Sequence, residues 1–94
     1  MQDNNKKYLK LTAMHVRIAR SAMNISQKEL SGHTEISVSS IARLEQSEDY
    51  FQKTTKIIKR SLFEFYVKED VEFIFSKDNM SEGVLYKKNN STST

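Results

Sequence analysis

The chain has 94 residues, a net charge of +3, no cysteine, no proline and only two glycines. This length fits one domain with one small core, and the lack of cysteine excludes a disulfide framework, a thiolate zinc site and a thiol nucleophile. Because no apolar run is long enough for a membrane span or a signal peptide, we expect a cytoplasmic protein with no membrane partner. The mild basic excess favours an anionic partner, and the scarcity of helix breakers favours a mainly helical fold.

Residues 1–8 are polar and are predicted to form a flexible N-terminus. A first helix is predicted from about Leu9 to Met23, where apolar residues recur at helical spacing. They form two stripes, one of Leu9, Thr12, Val16, Ala19 and Met23 and the other of Leu11, Met14, Ile18 and Ala22. A helix that is apolar on two sides is usually covered on both, so a further element must pack on it. Asn24 can adopt the left-handed conformation that ends such a helix.

The segment that begins at Ser26, SQKELSGHTEISVSSIARLE, predicts two short helices joined by a tight turn. Ser26 and Glu29 have the spacing of a capping box, so a second helix should occupy about residues 27–34. Ser37 offers an N-cap for a third helix over about residues 38–46. The positions expected to be buried are apolar: Leu30, Ile36, Ile41 and Leu44. Because the connection is so short, the two helices must cross at a steep angle.

This segment resembles the helix-turn-helix of the lambda-repressor/Cro (Xre-type) family of DNA-binding transcriptional regulators, and the resemblance covers roughly residues 9–66. Gln27 stands at the glutamine that opens the second helix of that family, and Glu45 at the glutamate that closes the third. Arg20 stands at the arginine that pairs with that glutamate. The resemblance implies a mainly α, four-to-five-helix DNA-binding domain whose third helix enters the major groove. Arg20 and Glu45 are then a structural pair that ties the first helix to the third.

Two positions depart from the family pattern. Glu35 stands where the family usually has glycine, at a position that requires a positive φ and costs other residues about 1 kcal/mol. Residues 46–49, QSED, stand where the family tends to have Asn-Gly. Two acidic residues there would repel phosphate unless their loop points away from DNA.

The residues predicted to contact DNA are Gln27, Lys28, Ser37, Val38, Ser39, Ser40 and Arg43. Arg43 is the strongest candidate, because a guanidinium can donate two hydrogen bonds to guanine or clamp a phosphate. Val38 offers apolar contact to a thymine methyl group, and Ser37 could contact phosphate or sugar. Alternatives stay open, since Ser37 could serve only as a helix cap and Arg43 could be a solvated surface residue.

A fourth helix is predicted over about Gln52–Val67, and a β-hairpin over residues 68–87, followed by a disordered tail over residues 88–94. The predicted strands are 71–75 and 84–86. An isolated two-stranded hairpin is marginal in water, so it should either pack on the helices or pair with a second chain. The predicted dimer interface comprises Phe63, Tyr66, Val71, Phe73, Ile74 and Phe75.

The sequence thus predicts a sequence-specific DNA-binding transcriptional regulator, a repressor rather than an activator, that binds a palindromic operator as a homodimer. The alternative is a protein-interaction module, such as an antitoxin or an anti-activator, whose DNA binding would be weak, insensitive to salt or absent. No catalytic residue, metal or cofactor is expected, because His15 and His33 lie in no metal-ligand or triad pattern. Both histidines are predicted to lie on helices, His15 on a surface.

Overall fold

The computed structural model describes residues 3–75 and 82–87. A 3-10 helix, Asp3–Lys10, precedes five α-helices: α1 (Ala13–Met23), α2 (Gln27–Thr34), α3 (Val38–Gln46), α4 (Glu48–Lys53) and α5 (Lys56–Lys68). Two antiparallel strands follow, β1 (Val71–Ile74) and β2 (Gly83–Tyr86). The predicted fold class, mainly helical with a C-terminal hairpin, is confirmed. Within the described ranges, no helix combines the length and the apolar character that a bilayer span requires.

The boundaries of α2 and α3 follow from local capping. The Ser26 hydroxyl accepts the Glu29 N–H over 3.0 Å, and the Glu29 carboxylate accepts the Ser26 N–H over 2.7 Å. These reciprocal bonds satisfy two amides that would otherwise lack partners at the start of α2. At its other end Glu35 adopts φ 64°, the left-handed conformation expected at the turn, and Asn24 ends α1 in the same way with φ 59°.

The N-terminal part of the chain differs from the prediction. Residues 3–8, expected to be flexible, belong to the 3-10 helix, which packs on α5 and places the Tyr8 ring 5.9 Å from the Arg60 guanidinium carbon. Thr12 then caps a separate α1, because its hydroxyl accepts the His15 N–H. Apolar periodicity runs across this break, and for that reason a single helix from Leu9 was predicted.

The predicted fourth helix is also two helices. Its start at Gln52 is wrong, because α4 already begins at Glu48 and ends before Thr54. Thr55 then caps α5 by accepting the Ile58 N–H over 3.2 Å. Lys59, buried with 7% of its surface exposed, donates from Nζ to the Gln52 carbonyl across the bend.

The hairpin packs on two helices, α1 and α5. β1 packs on α5 and β2 packs on α1. The second apolar stripe predicted for α1 is covered only in part, because Leu11 is buried and Met14 half-buried, whereas Ile18 and Ala22 are exposed.

The inner face of the hairpin pairs Val71 with Tyr86 and Phe73 with Val84, whereas Ile74 and Leu85 lie on the outer face. Parts of three predicted segments lie outside the described residues. They are residues 1–2 of the N-terminus, residues 76–81 of the hairpin loop and residues 88–94 of the tail.

Candidate nucleic-acid interface

The Arg20–Glu45 pair anchors the inner side of α3, the helix predicted to enter the major groove. Arg20 donates from Nε to Glu45 Oε2 over 2.7 Å and from Nη2 to Glu45 Oε1 over 3.0 Å. Its remaining Nη1 donates to the Ile25 carbonyl over 2.9 Å, so the guanidinium links α1, the turn before α2 and the end of α3. The hydrogen bond with the Glu45 carboxylate raises the pKa of Arg20 above its usual value. Because Glu45 is only 4% exposed, loss of Arg20 would leave a buried carboxylate without its counter-charge.

Gln27 is part of the same network. Its side-chain amide donates to Glu45 Oε1 over 3.1 Å, which leaves its second N–H and its carbonyl oxygen for an outside partner. Arg17, on the exposed side of α1, donates from Nη1 to the Glu45 carbonyl over 2.7 Å. Cationic groups near a helix C-terminus stabilise the last carbonyls. An open cavity of about 260 Å³ lies between these side chains, Ala42 and Gln46.

The outer face of α3 carries the side chains predicted to read bases. Val38 is 42% exposed, Ser39 and Arg43 are exposed, and Ser40 is half-buried. Ser37 does cap the helix, because its oxygen accepts the Ser40 N–H over 3.1 Å while its hydroxyl donates to Ser40 Oγ over 2.9 Å. Capping therefore already uses much of the bonding capacity of Ser37.

Arg43 is the long cationic side chain on this face. Its guanidinium carbon lies 5.2 Å from the centre of the Tyr50 ring. Among the residues that the structure describes, its guanidinium forms no hydrogen bond and no ion pair, because the acidic groups nearby in sequence bond elsewhere. Lys28 is also exposed, at the start of α2.

The two acidic residues after α3 have structural partners. The Glu48 carboxylate accepts the Ala13 N–H at the start of α1 over 2.7 Å and also accepts a hydrogen bond from the Gln52 amide. Asp49 forms an ion pair with Lys53 over 3.3 Å, one turn along α4. The acidic residues that depart from the family pattern therefore cap one helix and pair within another.

Three of the six residues predicted for the dimer interface require a correction. Tyr66, Val71 and Phe73 are 0%, 3% and 8% exposed, because the chain's own helices and hairpin cover them. Phe63 and Phe75 are half-buried and line an open cavity of about 320 Å³ between α5 and β1. Ile74 is 36% exposed on the outer face of the hairpin. Among the described residues, five further exposed large apolar side chains were not predicted for an interface: Leu9, Ile18, Ile57, Val67 and Leu85.

The prediction that His15 lies on a surface is wrong. Its side chain is fully buried, with Nε2 donating to the Ile74 carbonyl over 2.9 Å and Nδ1 accepting the Thr12 N–H over 3.1 Å. These two bonds assign the proton of the neutral ring to Nε2. The ring edges meet Phe73 and Phe75, with centroid distances of 5.7 and 5.0 Å. The spacing Thr-x-x-His, a capping box with histidine in place of glutamate, was the signal available in the sequence.

The described residues contain no group of three or more histidine, cysteine or acidic residues that could hold a metal ion. Comparison of the chain with protein-family models, with curated proteins and with solved structures finds no match. The resemblance to the lambda-repressor/Cro family therefore rests on Arg20 and on the residues of the segment 26–45.

Proposed function

We propose that this protein is a sequence-specific DNA-binding transcriptional regulator of the lambda-repressor/Cro (Xre-like) type, a repressor that acts in the cytoplasm. α3 would lie in the major groove, with Val38 and Ser39 entering first and Arg43 reading a guanine. The N-terminus of α2, with Gln27 and Lys28, would face the phosphate backbone, because free helix N–H groups favour an anion there.

One observation supports this proposal most strongly: α3 is fixed on its inner side and exposed on its outer side. The inner side holds Ile41, Leu44 and the bonded Glu45, each at most 4% exposed. The outer side presents small side chains and Arg43, whose donors have no partner in the described part of the chain. A helix that must enter a groove about 12 Å wide needs small residues at the contact and a long donor to reach the base edges.

Two further observations support it. The acidic residues after α3 are held by Ala13 and Lys53, so their charges are partly offset before any phosphate approaches. Arg17 lies beside Gln27, where a guanidinium already bonded through one nitrogen still has donors for a phosphate.

We further propose that the protein binds a palindromic operator as a homodimer, since one recognition helix reads only a few base pairs. Of the predicted interface, Phe63, Ile74 and Phe75 remain accessible. Ile57, 78% exposed, and Val67, 46% exposed, extend the apolar surface along α5. Exposed apolar side chains of this kind equally favour a protein partner, which keeps the interaction-module alternative as the second candidate.

The test is selection of bound duplexes from random-sequence DNA at two salt concentrations, followed by affinity measurement on the recovered sequence. We expect a palindromic motif and an affinity that falls steeply with salt, because phosphate contacts release counterions. Arg43→Ala should cost about 1–3 kcal/mol and relax base preference at one position of each half-site. Arg60→Ala is the matched control, because it removes an exposed arginine from α5 and leaves α3 intact. Absence of enrichment, or equal effects of the two variants, would contradict the proposal.

A further inference from the structure

Tyr50 and Arg43 form a cation–π pair near the end of α3. The guanidinium carbon of Arg43 lies over the Tyr50 ring, 5.2 Å from its centre. Tyr50 is half-buried in α4, whereas Arg43 is exposed on α3. The ring therefore supplies a fixed platform for a side chain that would otherwise move freely in solvent.

A single serine sets the geometry of this pair. Ser47 ends α3 by donating its N–H to the Arg43 carbonyl over 3.1 Å. The same residue begins α4, because its hydroxyl oxygen accepts the Tyr50 N–H over 3.1 Å. Arg43 and Tyr50 are thus joined through one residue by two hydrogen bonds, which fix the backbone of one relative to the other.

The way Arg43 is held leaves its donors free. A carboxylate partner would occupy the N–H groups of the guanidinium with hydrogen bonds, but a cation–π contact with a ring gives those N–H groups no oxygen acceptor. Glu48 and Asp49 could have offered such a carboxylate, and their bonds to Ala13 and Lys53 engage them elsewhere. The five in-plane donors stay available for the paired acceptors of a guanine, O6 and N7.

We propose that Tyr50 is a positioning residue that holds the Arg43 guanidinium in the orientation needed to read guanine, and so determines specificity at that base pair. This inference rests on the proposed function. Prior ordering reduces the rotamer freedom that a long side chain loses when it binds, and it disfavours orientations that suit other bases. Tyr50 itself acts through Arg43 and not through a base.

The test is a double-mutant cycle on the duplex recovered by selection, with affinities measured by fluorescence anisotropy. Tyr50→Phe keeps the ring and should bind within about twofold of the parent protein. Tyr50→Leu removes the ring and should weaken binding about two- to fivefold, the factor for an exposed cation–π contact of about 0.5–1 kcal/mol. It should also reduce discrimination against non-guanine bases at the Arg43 position. In the Arg43→Ala background, Tyr50→Leu should have no further effect.

The chain offers a matched control in Tyr8, whose ring lies 5.9 Å from the Arg60 guanidinium on the 3-10 helix and α5. Tyr8→Leu removes the same kind of pair away from α3 and should leave DNA affinity and base preference unchanged. Thermal melts of all variants report whether the fold is retained. Tyr50→Met, with a longer side chain, supplies a second ring-free variant if Tyr50→Leu unfolds.

A measurement on the free protein separates this inference from the proposed function. The Tyr50 ring current should shift the NMR resonances of the Arg43 side-chain protons, and Tyr50→Leu but not Tyr50→Phe should abolish that shift. If the parent protein binds no DNA, the proposed function fails whatever the NMR shows. If it binds DNA but Tyr50→Leu weakens binding equally with and without Arg43, the positioning role is overturned. Equal losses for Tyr50→Phe and Tyr50→Leu would overturn it too, because they would assign the effect to the hydroxyl.

Discussion

Replacement of Tyr66 by phenylalanine should make this protein more stable. The Tyr66 side chain is fully buried, and among the described residues its hydroxyl is a buried polar group that has no hydrogen-bond partner. A buried polar group left unsatisfied costs about 1–3 kcal/mol, and phenylalanine removes it while keeping the ring. The small void left by one oxygen offsets part of this gain. We therefore expect a net gain of about 1 kcal/mol, or about 4–8 °C in the melting temperature of a domain of this size.

The burial of Tyr66 also predicts how the stability of the protein changes at alkaline pH. Burial, with a smaller contribution from the Glu45 carboxylate, raises the pKa of Tyr66 above that of an exposed tyrosine. The folded state therefore keeps the phenolic proton at pH values where the unfolded chain, with a tyrosine pKa of about 10, releases it. This contribution to stability is fully present below pH 10 and is lost as the pH rises above it. At pH 11 the parent protein should have lost about 1.4 kcal/mol through this residue, a loss that Tyr66→Phe avoids.

Urea denaturation followed by circular dichroism at pH 7 and pH 11 measures both effects. Tyr86→Phe is the control, since it removes a phenol from a half-buried position on β2. A Tyr66→Phe variant less stable than the parent at pH 7 would show that the hydroxyl has a favourable partner. Equal losses for parent and variant between the two pH values would refute the argument from the retained proton.

Three further stability predictions concern the anchoring contacts. Glu48→Gln should lower the free energy of unfolding by about 1 kcal/mol in urea titrations, because the start of α1 loses a charged acceptor, whereas Asp49→Asn should change it by less than about 0.5 kcal/mol. Arg20→Met should lower the free energy of unfolding by about 3–5 kcal/mol, because it leaves buried Glu45 without its cation. The double variant with Glu45→Met should recover much of that loss. A double variant no more stable than Arg20→Met would contradict this. Glu35→Gly should raise stability by about 1 kcal/mol in thermal melts through relief of the left-handed backbone, and an unchanged melting temperature would show no strain there.

The helix-turn-helix could be predicted closely because its boundaries depend on neighbouring residues. The capping box at Ser26 and the N-cap at Ser37 are short-range signals, and both helices have the predicted bounds. The left-handed turn at Glu35 was also predictable, but from the resemblance and not from the residue itself. The proximity of Arg20 and Glu45, 25 positions apart, likewise came from the resemblance.

The elements on either side were predicted less well because apolar periodicity does not show where one helix stops and another starts. Thr12 and Thr55 each begin a new helix inside a continuous apolar pattern. The hairpin was found from composition, but which face it would bury depended on α1 and α5, which are distant in sequence. The Tyr50 platform under Arg43 had no signal in the sequence, since it depends on the bend that Ser47 makes between α3 and α4.

The hydrogen bond from His15 to the Ile74 carbonyl joins two residues 59 positions apart. Its consequence concerns the order in which the protein can fold. During synthesis α1 to α3 leave the ribosome first, but until β1 is made the His15 ring lacks its acceptor and the aromatic edges that cover it. α1 therefore cannot reach its final packing before β1 has been made. Closure of this long loop makes the final packing of α1 depend on nearly the whole chain having been synthesised.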